Sequence, residues 1–348
     1  MTKPRDELPN LDLLRALAVL LVLADHVLET LGAAYGTSFH PYDWYFGRLG
    51  VLLFFVHTCY VLMASMERLG GEGWSLARTF YIRRAFRIYP LAIFCVALVV
   101  LIGVPALPWE AFSAPGAFDL ASNLLLTTNL TASDPVLAPL WSLPVEVQMY
   151  LVLPVIFLLT FRSTHLPRIA VIYAVTLVAA LVIPRLSVRL AGAMFAPCFM
   201  AGVIAFALRD RLRAVIAPAL WVVFLAAMVT AYVVIENATP GIHHVLLQAG
   251  ICLVVGFAIP LFRQSTSRIL NLVSHQIAKY SYGVYLFHCV SLWFAYHALP
   301  SGSPLFRAGL ALASLVLLSV ASFHLLENPA IRLGARLSKR RAVQPLTA

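Results

Sequence analysis

Residues 11–32 read Leu11-Asp12-Leu13-Leu14-Arg15-Ala16-Leu17-Ala18-Val19-Leu20-Leu21-Val22-Leu23-Ala24-Asp25-His26-Val27-Leu28-Glu29-Thr30-Leu31-Gly32. The stretch is apolar and long enough to cross a bilayer, which takes about 20 helical residues. It nevertheless carries Asp12, Arg15, Asp25, His26 and Glu29. Ionisable groups at membrane depth are costly, so each demands a partner or a water-filled cavity. Arg15 and His26 are eleven positions apart, about 1100° of helix, or three turns plus roughly 20°. They therefore share a face, about 16 Å apart along the axis. Asp12 and Glu29 lie one turn outside them, within pairing reach. Arg15 is close enough to a membrane surface to snorkel to the headgroups. His26, about 22 Å up the helix from Leu11, has no such exit and is read as functional.

The rest of the chain has the same character. Of 348 residues, 61% are hydrophobic and 11% charged, with a mean hydropathy of +0.88. Soluble domains carry about 25% charged residues. Ten apolar spans are predicted, at about 11–32, 49–67, 90–106, 143–161, 169–184, 190–208, 214–235, 243–262, 277–299 and 305–327. The expected fold is an all-α polytopic integral membrane bundle of about ten transmembrane helices. It forms one domain over 1–348, with a core at about 11–328 and a basic tail at 329–348.

An even number of spans puts both termini on one side. With the termini inside, 20 of the 25 Lys and Arg fall in inside segments. Only Arg48, Arg185, Arg189 and Arg307 fall outside, and Arg15 lies within a span. This bias predicts cytoplasmic termini. It also explains the net charge of +10 without nucleic acid, since the basic residues are scattered between apolar runs. The five cysteines lie singly in or beside apolar runs, with neither metal nor redox spacing, and read as small core residues. No metal and no cleaved signal peptide are expected. The connector at about 107–140 has no Lys or Arg, and its length makes it a candidate cover for an outer cavity.

Four further clusters carry polar chemistry. His57 lies near mid-membrane, where a histidine hydrogen-bonded inside the bundle is the plainer reading. Arg83, Arg84 and Arg87, interleaved with aromatic and apolar residues, form an amphipathic cytoplasmic segment before span three. That segment suits either an anchor on anionic lipid or a clamp for phosphate oxygens. In Trp141-Ser142-Leu143-Pro144-Val145-Glu146, Trp141 fits an interfacial belt and Pro144 a first helical turn. Glu146 either faces the positive helix start or points into the bundle. Span four runs inward, which puts Glu146 roughly 25 Å from the inner surface, near the depth of His26. The two are expected to meet. Ser281, Tyr285 and His288 form a polar stripe on span nine, suited to helix-to-helix hydrogen bonds or to a site. Glu327-Asn328-Pro329 reads as the end signal of span ten.

Taken in order, these pieces resemble the membrane-bound acyltransferase family 3. The resemblance rests on Asp12-x-x-Arg15 with His26, then Phe54-Phe55, Arg83-Arg84-x-x-Arg87-x-x-Pro90, Trp141-Ser142-Leu143-x-x-Glu146 and Ser281-Tyr282-x-x-Tyr285-x-x-His288. It runs from Leu11 to about Asn328. It implies ten core helices and transfer of an acyl group, usually acetyl from acetyl-CoA, to hydroxyls of polysaccharides, lipid-linked sugars or secondary metabolites. It also implies Arg15 and His26 as the functional pair. The family commonly has Ser-Gly after Phe-Phe, where this chain has Thr58-Cys59, so packing and the acceptor pocket are expected to differ there. No hydrolase-like domain, such as some members carry, is expected after span ten.

The resulting expectation is an O-acyltransferase of the bacterial inner membrane. It would use acetyl-CoA or another acyl-CoA as donor and a saccharide, glycolipid or metabolite hydroxyl as acceptor. His26 would act as general base or acyl carrier. Glu146 would orient it, and Arg15 with Arg83, Arg84 and Arg87 would engage the anionic donor. Asp12, His57, Trp141, Ser142, Ser281, Tyr285 and His288 are candidate pocket residues. The rival is a proton-coupled transporter of a small molecule or lipid-linked sugar, because intramembrane Arg, His and Glu also suit proton relays.

Overall fold

The computed structural model describes residues 8–39, 42–161, 166–238, 244–299 and 302–339. They are helical, with no β-strand among the described residues beyond an isolated bridge between Ile216 and Phe262. The long helices are α1 (Pro9–Tyr35), α2 (Tyr42–Leu69) and α3 (Gly73–Ile102). The short α4 (Ala117–Leu124) and α5 (Thr128–Thr131) interrupt the connector before α6 (Ser142–Phe161) and α7 (Leu166–Leu186). Then follow α8 (Ala196–Leu208), α9 (Ala219–Ala238), α10 (His244–Ala258), α11 (Arg268–Trp293), α12 (Pro304–Ser322) and α13 (Asn328–Lys339). Eight helical segments are long and apolar enough to cross a membrane. The other two predicted spans coincide with α1 and α11, whose polar residues lower their hydropathy. Apolar side chains exposed along one helix mark lipid-facing sides, as with Val171, Val175 and Val178 on α7 and Leu312, Val316 and Leu317 on α12.

The chain forms two compact units. The first comprises residues 1–61, 165–183 and 193–281, and the second 62–164, 184–192 and 282–348. In the first, small residues let backbones approach closely, as membrane helices require. A Cβ on Gly50 of α2 would lie 2.5 Å from the Ala18 carbonyl oxygen of α1. One on Gly256 of α10 would lie 2.5 Å from that of Ala201 in α8. Gly202 of α8 sits against the Val56 carbonyl, its would-be Cβ 2.8 Å from the Cys59 Cβ. At Thr58-Cys59, then, the crossing is close, and its glycine is on α8 rather than α2. All five cysteines are buried thiols.

In the second unit α3 is one 30-residue helix that runs through Pro90 and closes on Gly103 in the left-handed conformation. This corrects the reading of residues 78–89 as a segment apart from span three. Arg83, Arg84 and Arg87 belong to the spanning helix itself. A second correction concerns Asn328-Pro329. Helix α12 passes through a π-helical turn at Phe323–Glu327 directly into α13. A proline lacks only a backbone donor, and early in a helix that donor has no partner to lose. Helix α13 packs on α3, with Gly334 against the Phe86 side chain. The connector is stitched by Asn123, whose side chain donates to the Asp119 and Asp134 carbonyls and accepts from the Val136 N–H.

Candidate active site

The predicted site residues divide between the two units. In the first, α1 carries Asp12, Arg15, Asp25, His26 and Glu29 on one continuous helix. His26 Nδ1 lies 3.0 Å from the Val22 carbonyl oxygen. A carbonyl only accepts, so Nδ1 carries the proton and Nε2 keeps its lone pair. Asp25 Oδ2 is 3.9 Å from His26 Nδ1. Asp25 Oδ1 accepts from the Gly47 N–H of α2 at 2.7 Å. Gly47 is a glycine for a steric reason, since any Cβ there would collide with the Asp25 carboxylate. One donor atom each from Asp25, His26 and Glu29 lie within 4.8 Å of one another. Sequence reasoning matched Glu29 to His26 by helical spacing. It missed Asp25, whose neighbour position puts it beside the ring only because the backbone N–H of α2 fixes the carboxylate.

The same trio has the donor types of a divalent-cation site.

Arg15 Nε donates to Ser281 Oγ of α11 at 2.6 Å, and Ser281 Oγ donates to the Ala278 carbonyl at 2.8 Å. Ser281 is fully buried. Arg15 is thus bonded within the first unit and is also within electrostatic reach of His57. His57 is buried, and its Nδ1 has no hydrogen-bond partner among the described residues, which departs from the satisfied histidine expected there. Asp12 pairs with His275 of α11 at 2.8 Å. The expectation placed Asp12 against Arg15, one turn away. His275 was overlooked because it lies 263 residues away in sequence, beyond the reach of any helical period.

In the second unit, the arginines of α3 take separate partners, and Arg84 faces Glu146 and Tyr150 of α6. Tyr150 donates to the Glu146 carboxylate one turn back. Arg84 is within electrostatic reach of Glu146 and Tyr150 and of its neighbours Arg83 and Arg87. Arg83 Nε donates to Ser338 Oγ at 3.1 Å. Arg87 forms an ion pair with Glu327, whose side chain is wholly buried. Glu327 is therefore a structural counter-ion, not merely the close of span ten. Ser142 Oγ and Tyr285 Oη are 2.7 Å apart. The Tyr285 hydroxyl donates to the Pro139 carbonyl at 2.6 Å, so the proton between Tyr285 and Ser142 comes from Ser142. His288 lies one turn on, its ring centroid 6.2 Å from that of Tyr285, and its Nδ1 is 3.1 Å from the Val284 carbonyl oxygen. Trp141 is in the 3₁₀ turn that opens α6. His26 belongs to the first unit and Glu146 to the second.

A helical bundle of this kind, with a half-buried, oriented histidine on α1 and three arginines on α3, is a multi-pass membrane protein. Residues 8–324 match the acyltransferase domain of acyltransferase family 3. The chain belongs to that family and is an acyltransferase. No curated protein and no solved structure matches it.

Proposed function

We propose that the protein moves an acyl group, acetyl in the simplest case, from acyl-CoA to a hydroxyl of a saccharide, glycolipid or metabolite. The observation that carries the role of His26 is its Nδ1 contact with the Val22 carbonyl, which leaves Nε2 as a base. The acceptor oxygen attacks the thioester carbonyl carbon, and its proton passes to Nε2. The C–S bond breaks, the ester forms, and the thiolate leaves and takes up a proton. Asp25 and Glu29 beside the ring stabilise the imidazolium that results. Arg15, held by Ser281, adds positive charge on the same helix face.

Arg83, Arg84 and Arg87 serve the anionic donor, since guanidinium forks match phosphate oxygens. Glu146 supports the donor arginines through Arg84, with Trp141, Ser142, Tyr285 and His288 as further polar residues of the second unit, while Asp12 and His57 accompany Arg15 in the first. In the orientation read from the Lys and Arg bias, both termini are cytoplasmic and the donor enters from that side, in the bacterial inner membrane.

The test is release of free thiol from acyl-CoA by purified protein in lipid nanodiscs supplied with a mixture of saccharides and glycolipids as acceptors, with His26→Ala beside the wild type. A thiol signal that vanishes in the variant supports the proposal. Absence of any signal across acetyl-, propionyl- and longer acyl-CoA would leave the donor assignment without support.

A further inference from the structure

A second polar cluster lies in the first unit and takes no part in the chemistry above. It is built by four helix ends, the starts of α2 and α10, the end of α9 and the turn leading into α8. Glu236 of α9 is 3% exposed, and its carboxylate lies 2.5 Å from His244 Nδ1 of α10. Tyr232, one turn back and 1% exposed, hydrogen-bonds to both Glu236 and Gln248. Gln248 is 2% exposed, and its Oε1 has no hydrogen-bond partner among the described residues. The Arg48 guanidinium of α2 lies 5.8 Å from the Trp44 ring and 5.3 Å from the Phe195 ring, within electrostatic reach of Glu236. At the solvent-facing rim of this cluster the Trp44 indole and the His244 imidazole are both exposed.

A lipid-belt anchor would have a different form. Interfacial Arg and Trp anchor a helix by reaching outward to headgroups. Here the guanidinium is turned onto buried Phe195 and towards a buried carboxylate. Such a carboxylate, an amide oxygen lacking a donor, a cation and an exposed indole are the groups that recognise a ring bearing several hydroxyls. Carboxylate and amide accept from O–H groups, the cation donates to their oxygens, and the aromatic face covers the C–H face. A buried acceptor without a partner in a folded protein calls for an explanation, and a ligand hydroxyl supplies one. The cluster also adjoins the base along α2. Arg48 follows Gly47, whose N–H holds the Asp25 carboxylate beside His26.

We infer that Trp44, Arg48, Glu236, His244 and Gln248 form a subsite for a saccharide ring of the acceptor. This rests on the acyltransfer reading above and specifies its acceptor as a sugar rather than another hydroxyl compound. In the proposed orientation these helix ends face outward, where an extracytoplasmic glycan would arrive.

The experiment separates the two readings because it measures binding without turnover. Protein in nanodiscs is titrated calorimetrically with methyl β-glucoside, methyl β-galactoside and methyl β-N-acetylglucosaminide as single-ring probes. The wild type should bind at least one of them saturably. Trp44→Ala and His244→Gln, both at the rim, should weaken that binding about tenfold or more; Trp44→Ala should do so with its melting temperature unchanged, and the glutamine at 244 keeps a hydrogen-bond donor for the Glu236 carboxylate. Trp74→Ala, an exposed tryptophan of the second unit, should bind as the wild type does. Failure of all three probes to saturate the wild type, or equal binding by both rim variants, overturns the inference. Loss of thiol release in the wild type would instead count against acyltransfer from acyl-CoA.

Discussion

Removing Arg87 should destabilise the protein more than removing its partner, for a reason visible in the exposure of the two side chains. Glu327 is 0% exposed and Arg87 22% exposed. Arg87→Leu strands a carboxylate with no access to water. Breaking a buried pair in this way costs about 3–5 kcal/mol, roughly two to three and a half orders of magnitude in the folding equilibrium. Glu327→Leu leaves a guanidinium that already reaches solvent and can rehydrate, so about 1–3 kcal/mol is expected. The double variant Arg87→Leu/Glu327→Leu removes both charges together, and such replacements are often neutral or stabilising. The assay is thermal unfolding of the four proteins in nanodiscs, followed by the KM for acetyl-CoA of those that stay folded. If Arg87 also binds the donor, the double variant should be stable yet show a KM raised about 10- to 150-fold, the range for a charge-assisted hydrogen bond. A normal KM would assign Arg87 wholly to holding α13 and the end of α12 against α3. Unchanged melting of Arg87→Leu, or a double variant as unstable as Arg87→Leu alone, would refute the buried-pair reasoning.

Other outcomes can be measured alongside. His26→Ala should lower single-turnover acyl transfer by about 10²–10⁴-fold while the protein stays folded, and Glu146→Gln should lose rate as well. If they act as one unit, the double variant should be little worse than His26→Ala; fully multiplicative losses would separate them. Exhaustive treatment with a chelator should leave turnover unchanged; activity lost to chelator and restored by a divalent ion would reassign Asp25, His26 and Glu29 to a metal. Reporters fused after Lys339 and near Ser133 should report cytoplasmic and external locations respectively. Gly202→Leu should sharply reduce folded protein in the membrane, read by fluorescence-detected gel filtration, because its Cβ would meet the Val56 carbonyl.

What the sequence could and could not disclose follows the range of the forces involved. Span positions depend on local hydropathy, so eight of the predicted spans overlap helical segments long and apolar enough to cross a membrane and the other two overlap α1 and α11. Helical periodicity reaches one or two turns, so it placed Tyr285 and His288 together and matched Glu29 with His26. It could not find His275 for Asp12, Glu327 for Arg87 or Ser142 for Tyr285, which are set by tertiary packing across 263, 240 and 143 positions. Two errors at helix ends share one cause. Basic residues and an Asn-Pro pair are surface signals on average, but a buried counter-ion lets a charged stretch continue inside a helix. Glu327 does this for Arg87, so α3 runs on through its arginines and α12 runs into α13 past Pro329.

The Thr58-Cys59 departure teaches the complementary point. A family pattern read along α2 implies that losing a glycine opens the contact, yet the contact is close because Gly202 of α8 supplies the missing clearance. Close approach is a property of the pair of backbones, and either helix can provide the hydrogen in place of Cβ. It follows that Cys59→Gly should not tighten this crossing. It should leave a small void beside Gly202 and lower the melting temperature, with a cost set by the lost side chain and by the flexibility of glycine in a helix, the latter about 1 kcal/mol. Thermal unfolding of Cys59→Gly against Cys59→Ala isolates the second contribution, since alanine keeps the Cβ. A Cys59→Gly protein more stable than wild type would mean that α2 still carries the constraint, and that Gly202 is incidental to it.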